Sequence, residues 1–328
     1  MSGGWVMRIQ TNSAHAELVE ARSQTASMTV ALGIREAAEV LAAVSDTPRL
    51  DAELLMAHVL GVSRTTMLLN TMRNPVPAGI ASLVLRRLKH EPVAYILGAQ
   101  EFYGLELIVT PDVLIPRGDS ETLIEAARIA LAGTPPARIL DLGTGSGALL
   151  LAALTLWPAA HGVGIDRSLG AVAVAAANAG RLGLAARARI FHDDWSRPGW
   201  ADALGRFDLI LANPPYIEDD AALACQVRGH EPAGALFAGA DGLDAYRVLM
   251  PQLVNLLKPC GLAIVEIGAT QGDTVSRLGA AAGLAATLHR DLAGRPRALA
   301  LCLKKASGKK PLGKPGDPHY FESKPAGG

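Results

Sequence analysis

Asn213-Pro214-Pro215-Tyr216 is the stretch of this chain best suited to chemistry. It follows Phe207-Asp208-Leu209-Ile210-Leu211-Ala212, an apolar run that reads as a buried parallel strand. The motif therefore falls at the C-terminal edge of a sheet, where open α/β folds bind ligands. Asn213 can offer a carbonyl to an N–H donor. The two prolines fix φ and remove backbone donors, so the loop is stiff and turns carbonyls outward. Tyr216 can lie flat against a planar group. Together these suit a carboxamide or an aromatic amine. Taken alone, the tetrapeptide could also be an ordinary strand-ending turn.

Other strand ends add to it. Asp141-Leu142-Gly143-Thr144-Gly145-Ser146-Gly147 follows a strand and opens a helix. Its glycines allow a sharp turn and close approach to a ligand. The spacing is Gly-x-Gly-x-Gly. It is not the dinucleotide Gly-x-Gly-x-x-Gly, because residue 148 is alanine, and it lacks the Gly-Lys-Ser/Thr of a P-loop. Nineteen residues past Gly147, the strand 161–165 ends in Asp166, whose carboxylate can accept from two ribose hydroxyls. Alone, Asp166 suits a helix N-cap equally well. A third strand ends in Asp193-Asp194-Trp195. Asp194 could accept from an adenine amino group and Trp195 could pack on its ring, while Asp193 reads as a solvated strand end. Asp141 suits a structural place or one near a sulfonium better than that of a base.

This ordered set resembles the class I S-adenosylmethionine-dependent methyltransferases. The resemblance implies S-adenosyl-L-methionine as cofactor and S-adenosyl-L-homocysteine as product. Gly143, Thr144, Gly145, Ser146, Gly147, Asp166, Asp194, Trp195 and Asn213 would line the cofactor site. Asn-Pro-Pro-Tyr is similar to the motif of amino-methyltransferases. An amide nitrogen is a poor nucleophile because its lone pair is delocalised into the carbonyl. Hydrogen bonds to Asn213 Oδ1 and the Pro214 carbonyl would hold it and encourage lone-pair localisation. In-line transfer then depends chiefly on positioning. Asn213, Pro214 and Tyr216 are the expected catalytic residues, and Asn213, Pro214, Pro215 and Tyr216 the expected substrate-binding set. No acid–base pair is needed; His230 reads as structural.

The elements that must place these residues can be read around them. Apolar spacing predicts helices over 34–44, 50–60 (ended by Gly61), 63–69 and 78–90, a small bundle. Residues 94–109, broken by Gly98 and Gly104, read as a β-hairpin linker. Residues 111–119 read as a loop, and Ser120 as the cap of a helix running to about Ala132. From Ala137 strands and helices alternate, with strands near 137–142, 161–166, 188–192, 207–212 and 261–267. Residues 285–291 and 298–303 read as a final antiparallel pair. The pattern reads as α/β, and the resemblance makes the expected fold class a Rossmann-like, seven-stranded class I methyltransferase domain with a small N-terminal helical bundle joined by a β-hairpin. The expected divisions are a disordered extension over 1–27, a helical recognition domain over 28–92, a linker over 93–110, the methyltransferase domain over 111–303 and a disordered tail over 304–328. Six of the chain's eight lysines lie in that tail, among Gly and Pro.

Bulk properties narrow the partners. Lys+Arg and Asp+Glu are both 31, so no global basic field favours duplex DNA. Cys225, Cys260 and Cys302 are too widely spaced for a disulfide framework or a zinc site and suit a reducing cytosol; no metal is expected. No stretch is long and apolar enough to span a membrane, and 1–27 lacks the order of a signal peptide.

Longer signatures resemble the peptide-release-factor glutamine N5-methyltransferases. They run in order: Leu50-Asp51-Ala52-Glu53-Leu54-Leu55 to His58-Val59-Leu60-Gly61, then Glu91-Pro92-Val93-Ala94-Tyr95-Ile96-Leu97-Gly98 with Glu101-Phe102-Tyr103-Gly104-Leu105. Leu114-Ile115-Pro116-Arg117, Asn213 to Ile217, Glu231-Pro232, Asp241-Gly242-Leu243 and Asp291-Leu292-Ala293-Gly294 follow, with Arg297 closing the set. The family has Pro and Thr where this chain has Gly118 and Ser120; Asp119 and Glu121 keep the charge pattern. The resemblance implies a protein substrate, the glutamine of the Gly-Gly-Gln loop in class I translation release factors, and a cytoplasmic enzyme without a membrane or direct nucleic-acid substrate. The bundle would grip the release factor, and Pro214, Tyr216 and residues 228–244 would wall the pocket. A ribosomal-protein glutamine methyltransferase and a nucleic-acid amino-methyltransferase are the rivals. The bundle disfavours the first, and the lack of a basic groove disfavours the second.

Overall fold

A computed structural model describes residues 28–304. The expected 1–27 extension and the tail beyond Lys304 lie outside the described residues. The N-terminal bundle is built from α1 (Val30–Leu41), α2 (Pro48–Leu60), α3 (Arg64–Asn70) and α4 (Ile80–Leu88). Local chemistry sets its ends. The Thr29 hydroxyl accepts from Leu32 N, Pro48 opens α2, Gly61 closes it in the left-handed region, and Ser63 caps α3. Ile34, Leu41, Leu55, Met56, Met67, Ile80 and Val84 form its core. One ion pair is buried among them: Arg87 Nε donates to Asp51 Oδ2 at 2.7 Å.

The linker corrects the expectation in part. Val93–Leu97 is a short helix, α5, and only then do β1 (Ala99–Phe102) and β2 (Leu105–Ile108) form the hairpin. Ala94, Tyr95 and Ile96 are buried, Ile96 within the bundle core. That burial holds a helix that five residues could not sustain alone. Tyr103 and Gly104 both take positive φ, as a two-residue hairpin turn requires. Glu121 accepts from Tyr103 N and fixes the turn to the next helix.

That helix is α6 (Glu121–Ala130), preceded by a 3-10 turn over Gly118–Ser120. Thereafter come β3 (Arg138–Leu142), α7 (Ala148–Leu156), β4 (His161–Asp166), α8 (Leu169–Arg181), β5 (Ala188–His192), β6 (Phe207–Ala212), α9 (Cys225–His230), α10 (Asp244–Leu256), β7 (Leu257–Glu266), α11 (Gly272–Ala281), β8 (Leu284–Arg290) and β9 (Pro296–Leu303). The sheet order is β5-β4-β3-β6-β7-β9-β8, parallel except that β9 runs antiparallel to both its neighbours. The expected seven-stranded sheet and final antiparallel pair are both present. One core cluster packs α6 and α7 on one face, and a second packs α10 on the other. The inner strands β3 and β6 are covered on both faces, which is why they read as unbroken apolar runs. β3, β4, β5 and β6 therefore end along one edge, with Asn213, the glycine loop, Asp166 and Asp193-Asp194 just beyond them.

Candidate active site

A cleft of about 410 Å³ opens at that edge, lined by Gly143 to Ser146, Asp166, Asp194, Trp195, Asn213 and Pro215 among others. The glycine loop is held from below: Gly143 N and Thr144 N both donate to the Ile165 carbonyl, at 3.0 and 2.9 Å. Gly143, Gly145 and Gly147 all have positive φ. A Cβ on Gly143 would stand 2.9 Å from the Trp195 ring, so only glycine lets the tryptophan close over the loop. Gly147 lies outside the cleft lining and instead starts α7.

Asp166 ties the loop to the next strand. Its Oδ2 accepts from Gly145 N and its Oδ1 from Ser168 N, both at 2.9 Å. Ser168, not Asp166, caps α8. Asp194 Oδ1 accepts from Ser196 N and Oγ, which leaves Oδ2 for another donor. Asp141 lies under the loop, 1 % exposed, and accepts from Thr144 Oγ1 at 2.7 Å. Its other oxygen has no partner among the described residues.

Asn213 is held from one side. Its Nδ2 donates to Ser120 Oγ at 3.3 Å, and Ser120 Oγ donates to Glu266 Oε2 at 2.5 Å. Sequence reasoning made Ser120 a helix cap; its hydroxyl makes no capping bond and is used here instead. Pro214 and Tyr216 also depart from expectation. Neither lines the cleft. Pro214 is buried, and the Tyr216 ring packs against the second core cluster with its hydroxyl donating to Glu266 Oε1 at 3.2 Å. The flat aromatic wall expected of Tyr216 is therefore absent. Its ring has more apolar surface to bury inside than at the rim.

The opposite wall comes from the segment expected to supply it: Pro232, Gly234, Ala235, Phe237, Ala238 and Gly239. Glu231 anchors this wall. Its buried carboxylate accepts from Arg117 Nη2 at 2.5 Å and from Ile115 N. His230 contacts the Lys89 carbonyl at 3.2 Å, joining the wall to the bundle. Glu266 had no signal in the sequence beyond its place at a strand end.

Asp141 and Glu266 share a property. Burial raises each carboxyl to about 7, against favourable bonds from Thr144 and Ser120 respectively. The folded chain thus retains protons that the unfolded chain loses near 4, and stability falls as pH rises towards 7. Burial lowers the pKa of His289, which opposes this. Asp141→Asn and Glu266→Gln should each flatten the decline. Calorimetry at about pH 5 and about pH 8 should show the wild type losing several degrees more of Tm than either variant; parallel losses would reject the assignment.

Sheet order, glycine loop and acidic strand ends define the Rossmann-like class I methyltransferases. The comparisons agree at two scales. Residues 34–98 match the PrmC N-terminal domain, and residues 120–228 the methyltransferase small domain. A release factor glutamine methyltransferase of Rhodospirillum rubrum is 43 % identical over 287 residues, covering 86 % of this chain and 85 % of that protein. The protein of the same description from Cereibacter sphaeroides is 42 % identical over 278 residues, covering 82 % and 97 %. This chain belongs to the release factor glutamine methyltransferase family.

Proposed function

We propose that this protein transfers the methyl group of S-adenosylmethionine to the side-chain amide nitrogen, N5, of the glutamine in the Gly-Gly-Gln loop of translation release factors. Family membership supports the reaction, and one observation supports the place: the Asn213 amide nitrogen is bonded to Ser120, while its carbonyl accepts no hydrogen bond among the described residues and both it and the glycine loop line the cleft.

The cleft fits the cofactor. The loop that Trp195 closes over and the Asp166 carboxylate suit a nucleoside, and the orphaned Asp141 oxygen beneath suits a cationic neighbour. When bound, the cofactor supplies an electrophilic methyl on a sulfonium whose charge is lost on transfer. Gly143 to Ser146 and Asp166 would hold it, with Asp194 and Trp195 at the base. Asn213 Oδ1 would accept from the substrate –NH2, orient it and favour the localised lone pair. Pro215 and the 232–239 wall would exclude water. Glycines beside the target glutamine carry no side chains, so the loop can enter a narrow cleft. The bundle would engage the release factor elsewhere, in the cytoplasm. The match of 34–98 to the PrmC N-terminal domain favours a release factor over a ribosomal protein.

Labelled S-adenosylmethionine and a release factor test this directly. Label should enter the release factor and not its Gln→Ala loop variant; no transfer, or equal transfer to both, rejects the assignment. Asp166→Ala should weaken cofactor binding by roughly 1.5–3 kcal/mol for each charged hydrogen bond lost, read by calorimetry. Unchanged affinity would remove Asp166 from the ribose site.

A further inference from the structure

Glu266 does not line the cleft, yet it is as enclosed as Asp141, with 1 % of its surface exposed. It closes β7, and Asn213 follows β6. Ala212 pairs with Val265 in register, so the two residues leave adjacent parallel strands side by side. Ser120, 4 % exposed, stands between them. A hydroxyl has one proton. Ser120 gives its proton to Glu266 Oε2, so towards Asn213 it can only accept. Asn213 must then turn its Nδ2 to Ser120 and its Oδ1 away.

We propose that Glu266 is a positioning residue for the methyl transfer, setting through the Ser120 hydroxyl which end of the Asn213 amide faces the substrate. This rests on the reading that Asn213 accepts from the substrate amide. With Glu266 ionised, Oδ1 faces the cleft. With Glu266 protonated, its own O–H can donate to Ser120, whose proton is then free to point at Asn213 Oδ1, and the amide can reverse. A reversed amide offers a donor to a donor and cannot hold a glutamine –NH2.

Several groups bear on the Glu266 proton. The Tyr216 hydroxyl donates to Oε1, and Arg297 Nη1 on β9 lies 3.9 Å from the same oxygen. The Tyr246 hydroxyl, from α10, donates to the Glu266 carbonyl at 2.9 Å. Asp119, held by Arg295 and Arg297, opposes ionisation, and Arg117 adds positive charge on the Tyr216 side. Burial outweighs the favourable partners and places the titration at about 7.

The test uses the full chain, nitrogen-15 labelled, with the Asn213 side-chain amide signals assigned by their loss in Asn213→Ala. These signals should titrate with a midpoint near pH 7. Glu266→Gln and Ser120→Ala should abolish that titration, and Ser120→Thr, which restores a hydroxyl, should bring it back. In turnover assays Ser120→Ala should lower kcat at least about tenfold, with KM and cofactor affinity little changed, and Ser120→Thr should recover it. An amide that does not titrate, a titration that survives Glu266→Gln, or a Ser120→Ala variant with wild-type kcat overturns the proposal. The amide signals need no substrate, so failure of the wild type to methylate a release factor would strike the functional reading alone.

Discussion

Asn213→Ala should lower methyl transfer by about 10²–10³-fold while cofactor affinity stays near that of the wild type. The magnitude is that of deleting one preorganised polar group at a reacting centre. The separation of the two effects follows from the site. Gly145, held by Asp166, and Trp195, packed on Gly143, keep their bonds and contacts without the Asn213 side chain. A glutamine entering the cleft would meet a methyl group where a carbonyl had fixed its –NH2. The cofactor would still be held beside the entering glutamine, so a residual rate should remain above that without enzyme. Single-turnover measurements with labelled cofactor, alongside calorimetric cofactor titration, separate the two quantities. Near-normal turnover would remove Asn213 from the reaction; a parallel loss of cofactor binding would make it a cofactor residue first.

The second large effect lies in the bundle. Arg87→Met should destabilise the protein by about 3–5 kcal/mol. Arg87 is 3 % exposed and Asp51 6 %. Besides Asp51, the guanidinium donates to the Val44 carbonyl and, at 3.0 Å, to Gln226 Oε1 on α9. It therefore joins two bundle helices to the helix that precedes the cleft wall. Without it, Asp51 keeps, among the described residues, the Ser45 and Thr47 hydroxyls and no cation. Adding Asp51→Leu should return most of the loss, because removing both charges relieves the desolvation that breaking the pair exposes. Urea midpoints of the single and double variants measure this. A single variant within about 1 kcal/mol of wild type would contradict the buried-pair account.

Much of this architecture can be read from the chain, for physical reasons that vary by residue. Strand β6 announces itself because both its faces are covered, leaving an apolar run that Pro214 and Pro215 must end. The glycine loop is legible because Gly143 has no substitute beside Trp195. Strand β7 begins at Leu257, earlier than the sequence indicates, because Pro259 and Gly261 read as breakers; the sheet takes them up where its register shifts opposite Phe207. Helix α5 is hidden by its length and needs the bundle core around Ile96. Ser120, Tyr216 and Glu266 form the least legible part. Each side chain has a commoner solitary use as a helix cap, a stacking surface or a solvated strand end. Only the fold brings positions 120, 216 and 266 within hydrogen-bonding distance, and local spacing carries no trace of that meeting.

The last strand among the described residues is not an edge. β9 threads between β7 and β8, and from it Arg297 reaches Asp119 and Glu266. The cofactor loop, the Asn-Pro-Pro-Tyr turn and the bundle all precede it in the order of synthesis. A nascent chain that has extended through β7 thus owns nearly every residue of the pocket, but has neither the strand that completes the sheet nor the arginine that braces the Ser120 loop. Completion of the sheet therefore waits for residues 296–303, and a chain ended before residue 296 would lack both β9 and the Arg297 contacts to Asp119 and Glu266.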